Sequence, residues 1–344
     1  MMINDIFIST TMVEAEHRND FWRAAAGPIF EPSPLPDERK TPLEGILRAR
    51  PLGSMVVGGS TTFNAQRFSR DRRNIVQSGL DYYFVQIAVA GAMKGEFNGG
   101  VSVNVEVGDI LIADLAQTLT TETKAGCRAS TLFPREHLEK AVGFRNLHGI
   151  VLKAGCPMTK LIATYLGGLF ALSTSFSCTQ AEAVEEAVVI LLAAALKGET
   201  LEKAEEFSPL TLVLRQRVMA FIKQNIHLPE MSQELIQRRF NVSRTHLYRA
   251  FAADGGVTKV LRDMRLDAAF VELTRRNRPS RSITQIAASL GFSNGNQFLR
   301  GFRARFGVTP SEARAELFIA QPPARPNSDL FTYFSDVRNQ ATKI

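Results

Sequence analysis

The sequence predicts an α+β chain in two parts: an N-terminal β-barrel with helices, and an all-α C-terminal domain with two helix-turn-helix motifs joined by a long helix. Three observations predict it. Residues 46–113 break into short β-type runs with turn signals between them. Residues 210–318 are helical in pattern throughout and carry a weak internal duplication. Between them, residues 198–209 (GETLEKAEEFSP) are polar, acidic and end in Pro209, which reads as a linker. With 344 residues, two domains can each bury a core. The boundaries read as 1–197, then the linker 198–209, then 210–318, with 319–344 a proline-containing tail.

Along the first domain, Glu14–Ala26 reads as an amphipathic helix carrying Phe21 and Trp22. Ile46–Ala49, Met55–Phe63, Tyr82–Val89, Met93–Phe97, Val101–Val105 and Ile110–Ala113 read as strands. Asn98-Gly99-Gly100 is a hairpin-turn signal, and Val107-Gly108-Asp109 is a second turn. Arg135–Val142 follows Pro134, a residue suited to a helix's first position. Two apolar helices, Met158–Leu172 and Gln180–Leu196, come next, the second with Thr179 and Glu182 as a capping box. Helices this apolar pack within the domain or against a second copy.

Charge is unevenly spread. The net is +7, yet residues 210–320 hold 18 Lys and Arg against 8 Asp and Glu, a surplus of +10 that leaves −3 elsewhere. Nearly all of that surplus is arginine, whose forked donors pair with phosphates and guanine edges, so it favours a nucleic-acid partner. No apolar run of about 18 residues is present, and the start lacks a basic region followed by an apolar core. Cys127, Cys156 and Cys178 are widely spaced and read as buried thiols of a cytoplasmic protein. The five histidines (His17, His137, His148, His227 and His246) include no i, i+2 pair on a strand. No metal or cofactor is expected, which weighs against a cupin-type enzyme.

The duplication aligns ELIQRRFNVSRTHLYRAF (Glu234–Phe251) with TQIAASLGFSNGNQFLRGF (Thr284–Phe302). Each copy has a helix, a tight turn ending in serine, and a second helix. The turns are Phe240-Asn241-Val242-Ser243 and Leu290-Gly291-Phe292-Ser293. One residue in such a turn must be left-handed, which Gly291 adopts freely and Asn241 tolerates. Ser243 and Ser293 are expected to cap the second helices. Leu247 with Phe251, and Phe298 with Phe302, form the packing faces. The opposite faces offer Arg244, Thr245, Tyr248 and Arg249 in one copy, and Asn294, Asn296, Gln297 and Arg300 in the other. These side-chain types match base edges in the major groove. Arg275, Arg276, Arg303 and Arg305 are candidates for phosphate contact. Val257–Thr274 spans roughly 27 Å as a helix, against roughly 34 Å between successive major grooves on one DNA face.

This half of the chain resembles the AraC/XylS family of bacterial transcription regulators. Ile283–Arg314 carries the likeness, with Gly291-Phe292-Ser293, Phe298, Phe302, Phe306-Gly307, Thr309-Pro310 and Ser311 where the family pattern places them. In the first copy Ser243, Leu247, Arg249, Phe251 and Gly255 agree, as do Arg265-Leu266. The family usually has alanine at Gln237 and glycine at Asn241. The first domain resembles the effector domain of one branch of that family, through Arg72-Arg73, Ser78-Gly79, the strand Tyr82–Val89, Val107-Gly108-Asp109 and Phe133–Leu138. The resemblance implies a cupin-like barrel that binds a small effector, followed by dimerising helices. It also implies a cytoplasmic homodimer that binds promoter or operator DNA and contacts RNA polymerase. Inward strand residues expected to line an effector pocket are Met55, Tyr83, Val85 and Ile87. Two alternatives stay open: control by a protein partner without a small ligand, and a cupin-type enzyme.

Overall fold

The computed structural model describes residues 5–38, 41–142, 146–198, 209–275 and 281–319. They fall into two compact units. The expected linker, apart from its two end residues, and nearly all of the expected tail lie outside the described residues.

The first unit is built on two antiparallel sheets that face each other. One holds β1 (Ile6–Ser9), β3 (Gly45–Leu52), β4 (Met55–Phe63), β11 (Gly126–Pro134), β6 (Tyr82–Ala90), β9 (Ile110–Asp114) and β12 (Ile150–Leu152), in the order β1-β3-β4-β11-β6-β9-β12. The other holds β2 (Glu31–Pro34), β5 (Gln66–Arg70), β10 (Leu119–Thr123), β7 (Met93–Phe97) and β8 (Val101–Val105), in the order β2-β5-β10-β7-β8. The expected barrel is therefore two sheets laid face to face. Asn98 and Gly99 both take positive φ, at 51° and 67°, in the β7–β8 hairpin. That backbone matches the right-handed strand twist, which is why Asn-Gly is placed there.

Two cores result. Between the sheets, Ile8, Val56, Phe84, Leu111 and Leu132 from one side meet Phe97, Val103 and Leu119 from the other. Helix α1 (Arg18–Ala26) closes this core with Trp22, whose indole N–H donates to Gln66 Oε1 at 2.9 Å. The outer face of the seven-stranded sheet is also buried. Met55, Val57, Tyr83, Val85, Ile87, Ile112 and Phe133 pack there against α3 (Arg135–Val142), α4 (Pro157–Leu172) and α5 (Cys178–Gly198). A short helix α2 (Arg72–Ser78) is capped by Asp71.

Several expectations need correction. Met55, Tyr83, Val85 and Ile87 do not face the space between the sheets; they sit in the helix-covered core. Their neighbours of opposite parity, Val56, Phe84 and Gln86, line a cavity between the sheets instead. The first helix starts at Arg18, after a 3-10 turn at Ala15–His17. Pro134 ends β11 and does not open α3. The cap of α5 is Ser177, not Thr179: Ser177 Oγ accepts from Gln180 N while Gln180 Oε1 accepts from Ser177 N. Cys156 and Cys178 are exposed and Cys127 half-buried, so none is the buried thiol expected.

The second unit comprises α6 (Pro209–Gln224), α7 (Gln233–Phe240), α8 (Arg244–Ala250), α9 (Val257–Leu273), α10 (Ile283–Ser289), α11 (Gly295–Phe306) and α12 (Pro310–Ile319). Val218, Ile222, Ile236, Leu247, Phe251 and Leu261 form a core in its first half. In the second half Phe270 of α9 contacts Phe302 and Phe306 of α11, with ring centroids 5.9 and 4.5 Å apart. One 17-residue helix, α9, thus contributes to both cores. Its burial explains the position: Val257 and Leu261 serve the first, Phe270 and Leu273 the second.

Candidate nucleic-acid interface

The site begins with two turns. After α7, Asn241 takes the left-handed conformation (φ 50°, ψ 50°), and its N–H closes on Gln237 O. Ser243 Oγ then accepts from His246 N at 3.2 Å and starts α8. After α10, Leu290 ends the helix and Gly291 takes φ 75°. The cap of α11 is not Ser293, however. Asn294 Oδ1 accepts from Asn296 N at 2.9 Å and from Gln297 N at 3.2 Å. Asn and Ser are equally good caps, so a turn ending Ser-Asn leaves the choice to geometry, and this turn runs one residue further than the spacing predicts. Asn294, expected as a base contact, turns its side-chain oxygen into its own helix.

Both second helices bury one stripe and expose the other. In α8, Leu247 and Ala250 are buried while Arg244, Thr245, Tyr248 and Arg249 are exposed, Tyr248 to 65%. In α11, Phe298, Phe302 and Phe306 are buried while Asn296, Gln297, Arg300 and Arg303 are exposed. The 3.6-residue period forces this separation, because residues i, i+4 share a face. Arg249 and Arg300 stand at matching places, each two residues after the first buried anchor (Leu247, Phe298) and before the next (Phe251, Phe302).

The arginines divide into two groups. Arg305 does not remain available for phosphate. It donates to Asp267 through Nε (2.5 Å) and Nη2 (2.8 Å) and reaches Asp263 at 2.9 Å, tying α11 to α9. Only 12% of its side chain is exposed. Arg215 likewise pairs with Asp254 and lies over the Phe251 ring at 4.9 Å, and Arg281 pairs with Glu272 at 2.7 Å. Arg275 and Arg303 are exposed, and Arg276 lies outside the described residues. Arg238 and Arg239, on α7, are also exposed; nothing in the sequence pattern set them apart from the structural arginines. Arg265 was legible only as part of the family likeness. Its Nη2 donates to the carbonyls of Leu228 and Met231, both at 3.1 Å, and its guanidinium covers Gly291. Burial lowers its pKa, but an arginine stays charged in any case.

Among the described residues of the N-terminal unit, no helix carries a comparable set of exposed arginines. His148 and the Ser54–His137–Glu185 group serve the fold. His148 accepts from Asp114 N at Nδ1 and lies 3.0 Å from Thr118 O at Nε2, with burial lowering its pKa, so it is a neutral, satisfied imidazole. Ser54, His137 and Glu185 join the β3–β4 turn to α3 and α5, with His137 Nδ1 2.6 Å from Glu185 Oε1. Among the described residues, no three His, Cys, Asp or Glu are grouped to hold a metal ion, and no helix is long and apolar enough to cross a membrane.

Paired helices with exposed polar second members, following a two-sheet domain in the chain, define the helix-turn-helix class of DNA-binding proteins. Residues 236–316 match the model of the helix-turn-helix domain, and residues 22–197 that of the AraC-binding-like domain. The second match spans more than half of the chain, and the chain belongs to this AraC-type family of regulators. Among curated proteins, it is similar to XylDLEGF operon transcriptional activator 1 of Pseudomonas putida, 29% identical over 99 residues, which is 28% of this chain and 30% of that protein. It is also similar to HTH-type transcriptional regulator CdhR of Pseudomonas aeruginosa, 31% identical over 112 residues, or 32% of each chain. The chain thus aligns with about a third of the length of these relatives. Among solved structures, the AraC-like transcriptional activator CuxR shares the fold with a TM-score of 0.53 and 18% identity, over 78% of this chain and 96% of that one.

Proposed function

We propose that the chain is a sequence-specific, DNA-binding transcription regulator in which α8 and α11 are the two recognition helices of two helix-turn-helix motifs, with α9 as the joining helix. The observation that carries this reading is the matched exposure of Arg249 and Arg300 on two helices held by one shared helix. On it, Arg244, Thr245, Tyr248 and Arg249 read one major groove, and Asn296, Gln297 and Arg300 the next. Arg275, Arg276 and Arg303 set the register on phosphates.

The same reading makes the N-terminal unit the control domain, answering a small effector. It makes the protein a cytoplasmic homodimer that contacts RNA polymerase at its promoters. Support for a self-association surface comes from α4 and α5, where Leu161, Leu172 and Ile190 stay more than half exposed beside a buried core. Selection of bound sequences from a random DNA pool, followed by footprinting at fixed salt, tests the reading. One subunit should protect two successive helical turns on one face of the duplex. A pool that yields no preferred sequence, or a footprint confined to a single turn per subunit, overturns it.

A further inference from the structure

The internal duplication places one more pair of residues in register, beside the matched arginines. Leu247-Tyr248-Arg249 in α8 aligns with Phe298-Leu299-Arg300 in α11, and Tyr248 and Leu299 are each the fifth residue of their helix. Both are exposed, Tyr248 to 65% and Leu299 to 43%. Among the described residues of the second unit, the other exposed large hydrophobic side chains are Leu210, Val213 and Leu228, in α6 or the loop after it. A single leucine in solvent needs no explanation. Two large hydrophobic side chains exposed at the same register of two duplicated helices do.

The surroundings of Leu299 say what would cover it. Asn296 lies one turn before it, Arg303 one turn after it and Arg300 next to it, and all three are exposed. Neither α8 nor α11 contains an Asp or Glu. The leucine thus sits inside a basic, polar face. Such a face suits a polyanion and disfavours an apolar protein surface, which would bury the arginines without partners. Leucine neither donates nor accepts, so it reads a base edge only by shape and apolar contact. In the major groove the 5-methyl of thymine is the apolar group on display; guanine offers acceptors, cytosine a donor, and adenine one of each. A leucine pressed on those polar edges would strip water from them and return no hydrogen bond.

We infer that Leu299 is a specificity-determining residue that packs on the 5-methyl group of a thymine, beside the base pair read by Arg300. Tyr248 holds the same place in the first motif, but its hydroxyl both donates and accepts. The two motifs therefore differ in the base they prefer at this place, and the two halves of the site are not repeats of one another. The inference rests on the reading of α11 as a recognition helix, and names a base that it reads.

The test uses the full-length chain and duplexes carrying its selected site, the α11 half being the one in which Arg300→Ala relaxes preference. Each thymine of that half is replaced in turn by uracil, which keeps the pairing and lacks only the 5-methyl. At fixed salt one replacement should weaken binding about fourfold, equivalent to ~0.8 kcal/mol for one buried apolar carbon. Leu299→Ala should bind the thymine duplex more weakly and make that replacement silent. Leu299→Gln should also silence it, and should shift the selected base toward adenine, whose edge pairs with an amide. Both substitutions put good helix formers at an exposed position, so far-UV circular dichroism should match the parent chain. The inference is overturned if that half holds no thymine, if no uracil replacement weakens binding, or if either variant keeps the full sensitivity to the methyl. Unchanged affinity in Leu299→Ala also overturns it, and would assign the leucine to a protein contact. A selection without a preferred sequence removes the recognition reading and this inference together, whereas a preferred site indifferent to the methyl removes this inference alone.

Discussion

Arg265 lies so close over Gly291 that a Cβ there would come within 2.7 Å of its Cζ. The same guanidinium donates to Leu228 O and Met231 O in the loop ahead of α7. A single side chain of the joining helix therefore fixes the entry to the first helix pair and covers the turn of the second. Gly291 is required twice over, by its φ of 75° and by this contact.

Gly291→Ala should accordingly destabilise the C-terminal unit by more than the ~1–2 kcal/mol that left-handed backbone costs a residue with a Cβ. In an Arg265→Ala background the same substitution should cost only the backbone part, a coupling of about 0.5–3 kcal/mol in a double-mutant cycle. Denaturant unfolding followed by far-UV circular dichroism measures it. Strict additivity of the two substitutions would show that the contact has no energetic consequence.

Arg300→Ala and Arg249→Ala should each lower affinity for a selected site by roughly 1–3 kcal/mol and relax preference at one base pair. The two relaxed positions should fall one helical turn apart. Quantitative footprinting on single-base variants reads both effects. Relaxation at the same base pair in both variants is incompatible with two recognition helices.

Arg303 and Arg305 are two residues apart and should behave oppositely. Arg303 is exposed, so Arg303→Ala should reduce the dependence of binding on salt by about one phosphate contact. Arg305 is clamped between Asp263 and Asp267. Arg305→Ala should leave the salt slope alone and cost about 1–3 kcal/mol of stability, discounted for the partial exposure of both carboxylates. An unfolding curve and a salt titration on each variant separate the roles.

This contrast also shows what could be read from the sequence. The helix pairs were legible because α8 and α11 bury one face only, so polarity and period coincide: Leu247 and Phe251 inward, Tyr248 and Arg249 outward. The strands were harder. In β6 both faces are covered, one by the opposite sheet and one by helices, so Tyr82–Ala90 is apolar on both parities and gives no sign of which residues face inward. That is why the sequence pattern alone points to Tyr83, Val85 and Ile87 for a pocket that Phe84 and Gln86 line. β2 escaped notice because its Glu-Pro-Ser-Pro sequence looks like a loop, and prolines are tolerated there on an edge strand. The distinction between Arg303 and Arg305 depends on partners far away in sequence and has no local signature.

Acid should unfold the sheet domain through the group around Arg135. Burial raises the pKa of Asp114, but the Arg135 guanidinium and the donors Gln117 Nε2 and Ala116 N outweigh it, and the net shift is downward from 3.8. Because the folded pKa lies below the unfolded one, the stabilisation is complete above the unfolded value of about 4 and is lost as pH falls through the folded value. Stability should therefore decline steeply only below about pH 4. In Arg135→Gln, burial of Asp114 is opposed only by the donors Gln117 Nε2 and Ala116 N, and its folded pKa should move above the unfolded one. The sign then reverses: ionising Asp114 opposes folding, and the domain should be weakened most at neutral pH, by about 3–5 kcal/mol for a buried charge left without its partner. Trp22 is the sole tryptophan and is 1% exposed in this unit, so its fluorescence follows the transition without interference from the helical unit. An acid-unfolding midpoint that is the same in the variant and the parent chain would exclude the Arg135–Asp114 pair as the source of the pH dependence.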